Sequence, residues 1–216
     1  MRENARISLH GFSTYPPQPR DSETTEHRLA AQQATDAEDC IFSQNCIFID
    51  EIAYIVDLNR VYPEEPEPNA RVRQNRLPDV CVLVATSYTK MVASNVSQLA
   101  GTTTAADFDE FLGKVLATIQ EQPKHYLFFP LCWKFVADRF AIQVEAAGYC
   151  AIFLPREQLW KNPASSALDR LELLLSRRSL DQTKFETIDG RIKANLSKLK
   201  EADFARFVEL TFGMSE

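Results

Sequence analysis

The stretch from Lys124 to Pro155 constrains this chain more than any other. Tyr126 to Leu131 is an apolar run of strand length. Cys132 to Ala147 carries Trp133, Val136, Phe140 and Val144 on one helical face, and Gly148 is placed to cap that helix. Tyr149 to Leu154 is a second apolar strand. A strand, a helix and a strand in this order form a crossover, which implies a parallel pair of strands within a sheet.

The flanking patterns extend that sheet. Residues 46–62, CIFIDEIAYIVDLNRVY, are apolar, aromatic and β-branched, which favours strand, although a helical turn across Asp50–Tyr54 also fits. Val80 to Thr86 is continuously apolar, as expected of a strand covered on both faces. Between them lie Pro63, Pro66 and Pro68, which exclude a central strand and mark an exposed loop. Thr104 to Gln122 reads as the clearest helix. Phe108, Phe111, Leu112, Val115, Leu116 and Ile119 share one face, and Thr104 with Asp107 makes a capping-box start. Beyond Pro155 the periodicity is helical, in segments around Leu168–Leu175, Ile192–Leu199 and Phe204–Leu210.

The expected architecture is therefore α/β: a mixed central sheet flanked by helices, with a helical C-terminal region. Residues 1–45 form a poorly patterned segment holding one short helix, Glu23–Gln33, capped by Ser22. Residues 46–160 form the α/β core, and residues 161–216 pack helically upon it. At 216 residues the length suits one domain or two small ones. Fourteen Phe residues point to an aromatic-rich interior.

Charge and cysteine usage narrow the function classes. The formal net charge is −6, which argues against a surface that grips nucleic acid on all sides. Residues 1–155 hold 13 basic against 20 acidic residues, and residues 156–216 hold 11 against 10. The five cysteines match no disulfide framework, and the chain shows neither a secretory leader nor a membrane-length apolar run. A cytoplasmic, reducing setting is the expectation.

No complete catalytic motif is present. GxGxxG, GxxxxGK[ST] and GxSxG are absent, and Cys40 and Cys46 lack the spacing of a zinc pair. Cys132, where a strand gives way to a helix, is placed for thiol activation, but a buried small hydrophobe is the favoured reading. Asp50, Glu51 and Asp57 interrupt an apolar run, and a charge there needs a partner or a role. Arg71, Arg73 and Arg76 are candidates for phosphate or acidic-surface contact, or for pairing with the preceding glutamates.

The element order, with an acidic residue before or within an early strand and a hairpin-like loop leading to a buried strand, then a helix, strand, helix and strand, resembles the restriction-endonuclease-like (PD-(D/E)xK) nuclease superfamily, most closely over Pro78 to Pro155. The stretch YLFFPLCWKFVADRFAIQVEAAGYCAIFLP carries most of that resemblance. It implies Glu51, Asp57 and Lys90 as catalytic positions, Asp57 as a metal ligand, and Mg²⁺ as the cofactor of an active member. The E-x-K triplet should fall on Val80–Thr86, but the chain reads Val84-Ala85-Thr86 there, and Lys90 follows four residues later.

The leading expectation is thus a nuclease-like but inactive domain, a subunit or adaptor in a nucleic-acid-related assembly. Its partners would be a protein or a second copy, with nucleic acid as a further partner and no membrane. The alternative is a protein-interaction module that docks through Phe204, Phe207 and Phe212. A third reading is a cysteine-nucleophile enzyme using Cys132.

Overall fold

A computed structural model describes residues 6–12, 22–59, 80–98, 104–120, 125–130, 134–155, 158, 161–176 and 188–214. The elements in chain order are β1 (Arg6–Phe12), α1 (Ser22–Thr35), β2 (Cys46–Asn59), β3 (Val80–Thr86), β4 (Met91–Gln98), α2 (Ala105–Ile119), β5 (Tyr126–Pro130), α3 (Lys134–Ala146), β6 (Cys150–Leu154), α4 (Pro163–Ser176), α5 (Ile188–Leu196) and α6 (Glu201–Phe212). They form the mixed α/β architecture read from the sequence.

β2 is the spine of the sheet. It runs 14 residues without a helical turn at Asp50–Tyr54, because Phe48–Tyr54 is committed to antiparallel pairing with β3. β3 pairs antiparallel with β4, and β5 pairs parallel with both β2 and β6. The strand order is β4-β3-β2-β5-β6, with β1 antiparallel to the far half of β2. The crossover from β5 through α3 to β6 is the parallel unit expected from Lys124–Pro155.

Strand alternation splits the core into two layers. Phe48, Ile52 and Tyr54 join Val80, Val82, Val84 and Phe128 against α4, α5 and α6. Ile47 and Ile49 join Leu83, Ala85, Leu127 and Phe129 against α2 and α3. Every residue of β3 is buried, as continuous hydrophobicity on a covered strand requires. α2 opens with the Thr104–Asp107 capping box: the Thr104 N–H donates to Asp107 at 2.9 Å, and the Asp107 N–H donates to the Thr104 hydroxyl at 3.3 Å. Gly148, which ends α3, takes φ 84°, a left-handed value that favours glycine.

Two strands carry no clear mark in the sequence. β1 lies in the segment read as poorly patterned, and its place is set by pairing with β2. β4, MVASNVSQ, is an edge strand with polar residues between its valines. The opposite edge, β6, is covered by α1, whose His27 ring meets Phe153 edge-on at 6.1 Å between centroids. Covering an edge in this way removes a template for unwanted strand pairing. Among the described residues no helix is long and apolar enough to cross a membrane.

The C-terminal aromatics face inward. Phe204 is buried, and Phe212 stacks on Phe42 with ring centroids 3.8 Å apart. Phe207 is half-buried and meets Phe204 edge-on. These rings extend the core beneath α6, and Leu210 is the large apolar residue that this helix exposes.

Candidate functional site

The site begins with a gap in a ladder. One edge of β2 pairs with β5 at Cys46–Phe48 and with β1 from Ala53 onward. Residues 49–52 between these stretches have no strand partner on that edge among the described residues. Backbone groups buried there need other partners. The chain supplies them from side chains. Asn162, just before α4, donates from Nδ2 to the Ile49 carbonyl at 2.8 Å. Asp50 accepts the Glu51 N–H on its own Oδ1 at 2.8 Å.

Asp50 stands where β2 leaves β5. Continuing the Phe48–Phe128 register places it level with Pro130, which pairs with Leu154 at the end of β6. This is the carboxyl edge of the parallel strands, where open α/β sheets commonly place ligand sites. α4 descends onto that edge. Asn162 precedes its first residue, and its Oδ1 accepts the Ala164 N–H at 3.1 Å as an N-cap does. One residue further, the Ser165 hydroxyl donates to Asp50 Oδ2 at 2.5 Å. The acid therefore lies under the first turn of a 14-residue helix, whose dipole favours negative charge.

Asp50 is 3% exposed, and each carboxylate oxygen already receives a protein hydrogen bond. A metal ion that activates water for phosphoryl chemistry needs carboxylate lone pairs clustered and open toward it. Among the described residues no group of three or more His, Cys, Asp or Glu side chains could hold a metal ion. The described residues around Asp50 therefore do not fit a catalytic magnesium centre.

The residues singled out from the sequence are spread along the sheet. Glu51 is buried on the face opposite Asp50, toward α2 and α3, and accepts the Cys81 thiol at 3.1 Å. Asp57 lies six positions further along β2, opposite Ser8 of β1, about 20 Å from Glu51 at strand rise. Lys90 is exposed in the turn between β3 and β4, where its carbonyl accepts the Ser87 N–H at 2.8 Å. It lines a cleft of about 300 Å³ together with Lys193, Ser94 and Ser197 over an apolar floor that includes Leu196 and Phe204. Asp57 and Lys90 sit toward opposite ends of the β2–β3 pairing, so the fold does not bring Glu51, Asp57 and Lys90 together. Arg71, Arg73, Arg76 and Cys132 lie outside the described residues, as does the proline loop from Pro63 to Asn69.

Sequence reading missed Asn162 and Ser165. The available signal was the Asn-Pro pair before a helical period, which marks a helix start. Nothing in the chain order ties that start to Asp50, 115 residues earlier.

Two further groups bear on the electrostatics. Cys46 and Cys40 sit with their sulfurs 3.6 Å apart in the core, and that contact, followed by burial, pushes the Cys46 thiol well up. The Tyr54 hydroxyl is also pushed up, by burial first and then by the negative field of Glu172 and Asp169 on α4. Both groups stay protonated at neutral pH.

This arrangement of sheet and helices is shared with solved catalytic domains of a transposase. Solved structures carry the comparison to particular proteins. The catalytic domain of Mos1 mariner transposase matches with a TM-score of 0.60 at 10% identity, over 92% of this chain and 93% of that domain. The same domain solved with Raltegravir and Mn matches at 0.62 and 10% identity, over 91% and 93%. The transposase chain of the Mos1 mariner paired end complex with Mn matches at 0.63 and 11% identity, over 93% of this chain. This chain spans 62% of that longer one. At such identities the likeness is one of fold. No protein-family model matches the sequence, and no curated protein matches it. The α/β fold read from the sequence thus holds, and it is the fold of the transposase catalytic domain that this chain resembles; the likeness does not extend to the restriction-endonuclease-like superfamily in particular.

Proposed function

We propose that this chain is a catalytically inactive nuclease-like domain serving as a subunit or adaptor in a nucleic-acid-related assembly. The observation that carries the reading is the state of Asp50. It occupies the carboxyl edge of the parallel strands in a transposase-like fold. Yet its oxygens close a backbone gap and bind Ser165 instead of standing open to a metal. The acid has a structural role in the position where a catalytic one would be useful.

The fold supports the nucleic-acid connection, since the matched transposase structures include one with its left transposon end. Arg71, Arg73, Arg76 and Lys90 are the cations proposed to contact phosphate, with contacts that position rather than read sequence. Glu51 and Asp57 remain the acids to test for residual chemistry, and Mg²⁺ is the ion that an active form would use.

The test is a cleavage assay on duplex and single-stranded DNA and on RNA, with Mg²⁺ or Mn²⁺. Wild type is compared with Asp50→Asn, Glu51→Ala and Asp57→Ala. The expected result is no metal-dependent cleavage above the level of the variants. Robust wild-type cleavage that Asp50→Asn or Glu51→Ala abolishes overturns the inactive reading. A binding assay with Arg71, Arg73, Arg76 and Lys90 changed to Ala tests the adaptor part, which unchanged affinity for duplex DNA would refute.

A further inference from the structure

Two thiols are held in contact between α1 and the sheet. Cys40, in the connection that follows α1, and Cys46, the first residue of β2, sit with their sulfurs 3.6 Å apart. Asn45 builds that contact. Its Oδ1 accepts the Ile41 N–H at 2.8 Å, and its Nδ2 donates to the Asp39 carbonyl at 2.7 Å. The residues on both sides of Cys40 are thereby tied to the residue before Cys46. The clamp is anchored in turn on β5. The Tyr126 hydroxyl donates to Asp39 Oδ1 at 2.5 Å, and the Tyr126 N–H donates to the Asn45 carbonyl at 2.9 Å. The other described cysteines lie elsewhere: Cys81 on β3 donates its thiol hydrogen to Glu51, and Cys150 opens β6.

We infer that Cys40 and Cys46 form a redox site, a dithiol that peroxide closes to a disulfide and glutathione reopens, and that closure tightens the attachment of α1 to the sheet. A disulfide holds its sulfurs about 2.05 Å apart, so the pair has about 1.5 Å to close by side-chain rotation, with the flanking backbone held by Asn45. Cys40 is 9% exposed and Cys46 1%, so peroxide meets Cys40 first. The Cys40 sulfur, as thiolate, attacks one peroxide oxygen. The O–O bond breaks, the sulfur becomes a sulfenic acid, and the departing hydroxide takes up the proton Cys40 lost, giving water. Contact with Cys40, followed by burial, holds the Cys46 thiol well up, which suits it to resolve the sulfenic acid and not to attack peroxide. Cys46 attacks the sulfenic sulfur; the S–S bond forms, the S–O bond breaks, and the Cys46 proton leaves with the hydroxide as a second water. One peroxide is thus reduced by two electrons as two thiols are oxidised. Two glutathione thiols reverse the change by exchange and leave as oxidised glutathione. The ring so closed joins the segment after α1 to the start of β2. Because α1 packs on the β6 edge, oxidation braces the cover of that edge. The inference does not rest on the proposed function.

The experiment treats the folded full chain with hydrogen peroxide at neutral pH, blocks the remaining thiols with iodoacetamide and maps a tryptic digest by mass spectrometry. Cleavage after Arg28 and Arg60 leaves Cys40 and Cys46 on one peptide. That peptide is expected to take up no alkyl group and to be lighter by two hydrogens, and glutathione is expected to restore both thiols. The oxidised chain should melt about 3–8 °C above the reduced one, as a short disulfide ring in a chain of this size would give. Cys46→Ser should show no rise in Tm with peroxide and should leave Cys40 reactive to a sulfenic-acid probe. A peptide that takes up two alkyl groups after peroxide overturns the assignment, as does a link from Cys40 to Cys81, Cys132 or Cys150. A linked pair with no rise in Tm overturns the bracing of α1.

Discussion

Replacing Ser165 with Ala tests whether Asp50 is held as a structural acid. The substitution removes the hydroxyl that donates to Asp50 Oδ2 at 2.5 Å and leaves α4 otherwise intact. A hydrogen bond to a charged group contributes about 1.5–3 kcal/mol net. Two effects lower the expected loss. Ser165 is only half-buried, so water can reach part of the vacated space. Alanine is also the better helix former, by about 0.5 kcal/mol. The net destabilisation should be about 1–2 kcal/mol, which in a chain of this size lowers Tm by roughly 2–8 °C. Urea and thermal unfolding followed by circular dichroism measure it. A cycle with Asp50→Ala isolates the pair, because the lost bond to the Glu51 N–H is common to the single and double variants and cancels. Directly bonded residues should show a coupling of about 1 kcal/mol or more, where independent sites add within about 0.5 kcal/mol. Strict additivity, or a Ser165→Ala variant as stable as wild type, would refute the view that this hydroxyl occupies the acid.

Asn162→Ala removes both the bond to the Ile49 carbonyl and the cap on Ala164. It should cost more than Ser165→Ala, about 2–4 kcal/mol from one buried bond and one N-cap together, as denaturant unfolding will show. The pH dependence of stability carries the mark of Asp169. Its folded-state carboxyl is raised above the ordinary value, chiefly by desolvation and then by Glu172. The folded state therefore binds more protons between the unfolded and folded values, and stability falls as pH rises through that window. Relative to Asp169→Asn, wild type should therefore gain stability on mild acidification, a difference read from unfolding curves of the two taken from pH 4 to 7.

The wider comparison of chain and fold turns on distance along the sequence. Local periodicity carried the helices and the buried strands. The apolar face of α2, its Thr104–Asp107 box, the continuous burial of β3 and the β5–α3–β6 crossover all stand where the pattern places them. Each depends on neighbours within a few residues, which is the range over which helix and strand periods operate. The polar pair Asp50–Glu51 was also legible as an anomaly, because charge inside an apolar run must be compensated.

Tertiary structure alone decided what compensates them. β1 is a strand because β2 offers it an edge. Asp50 meets Ser165 because α4 is laid across the sheet after a long detour of chain, and Glu51 meets Cys81 because antiparallel register puts them diagonally on one face. The same packing sets Glu51, Asp57 and Lys90 apart, which spacing along the chain could not reveal. Residue types and periods are written into the sequence. Which side chain answers a buried charge depends on long-range packing, and that depends on the energy of the whole core.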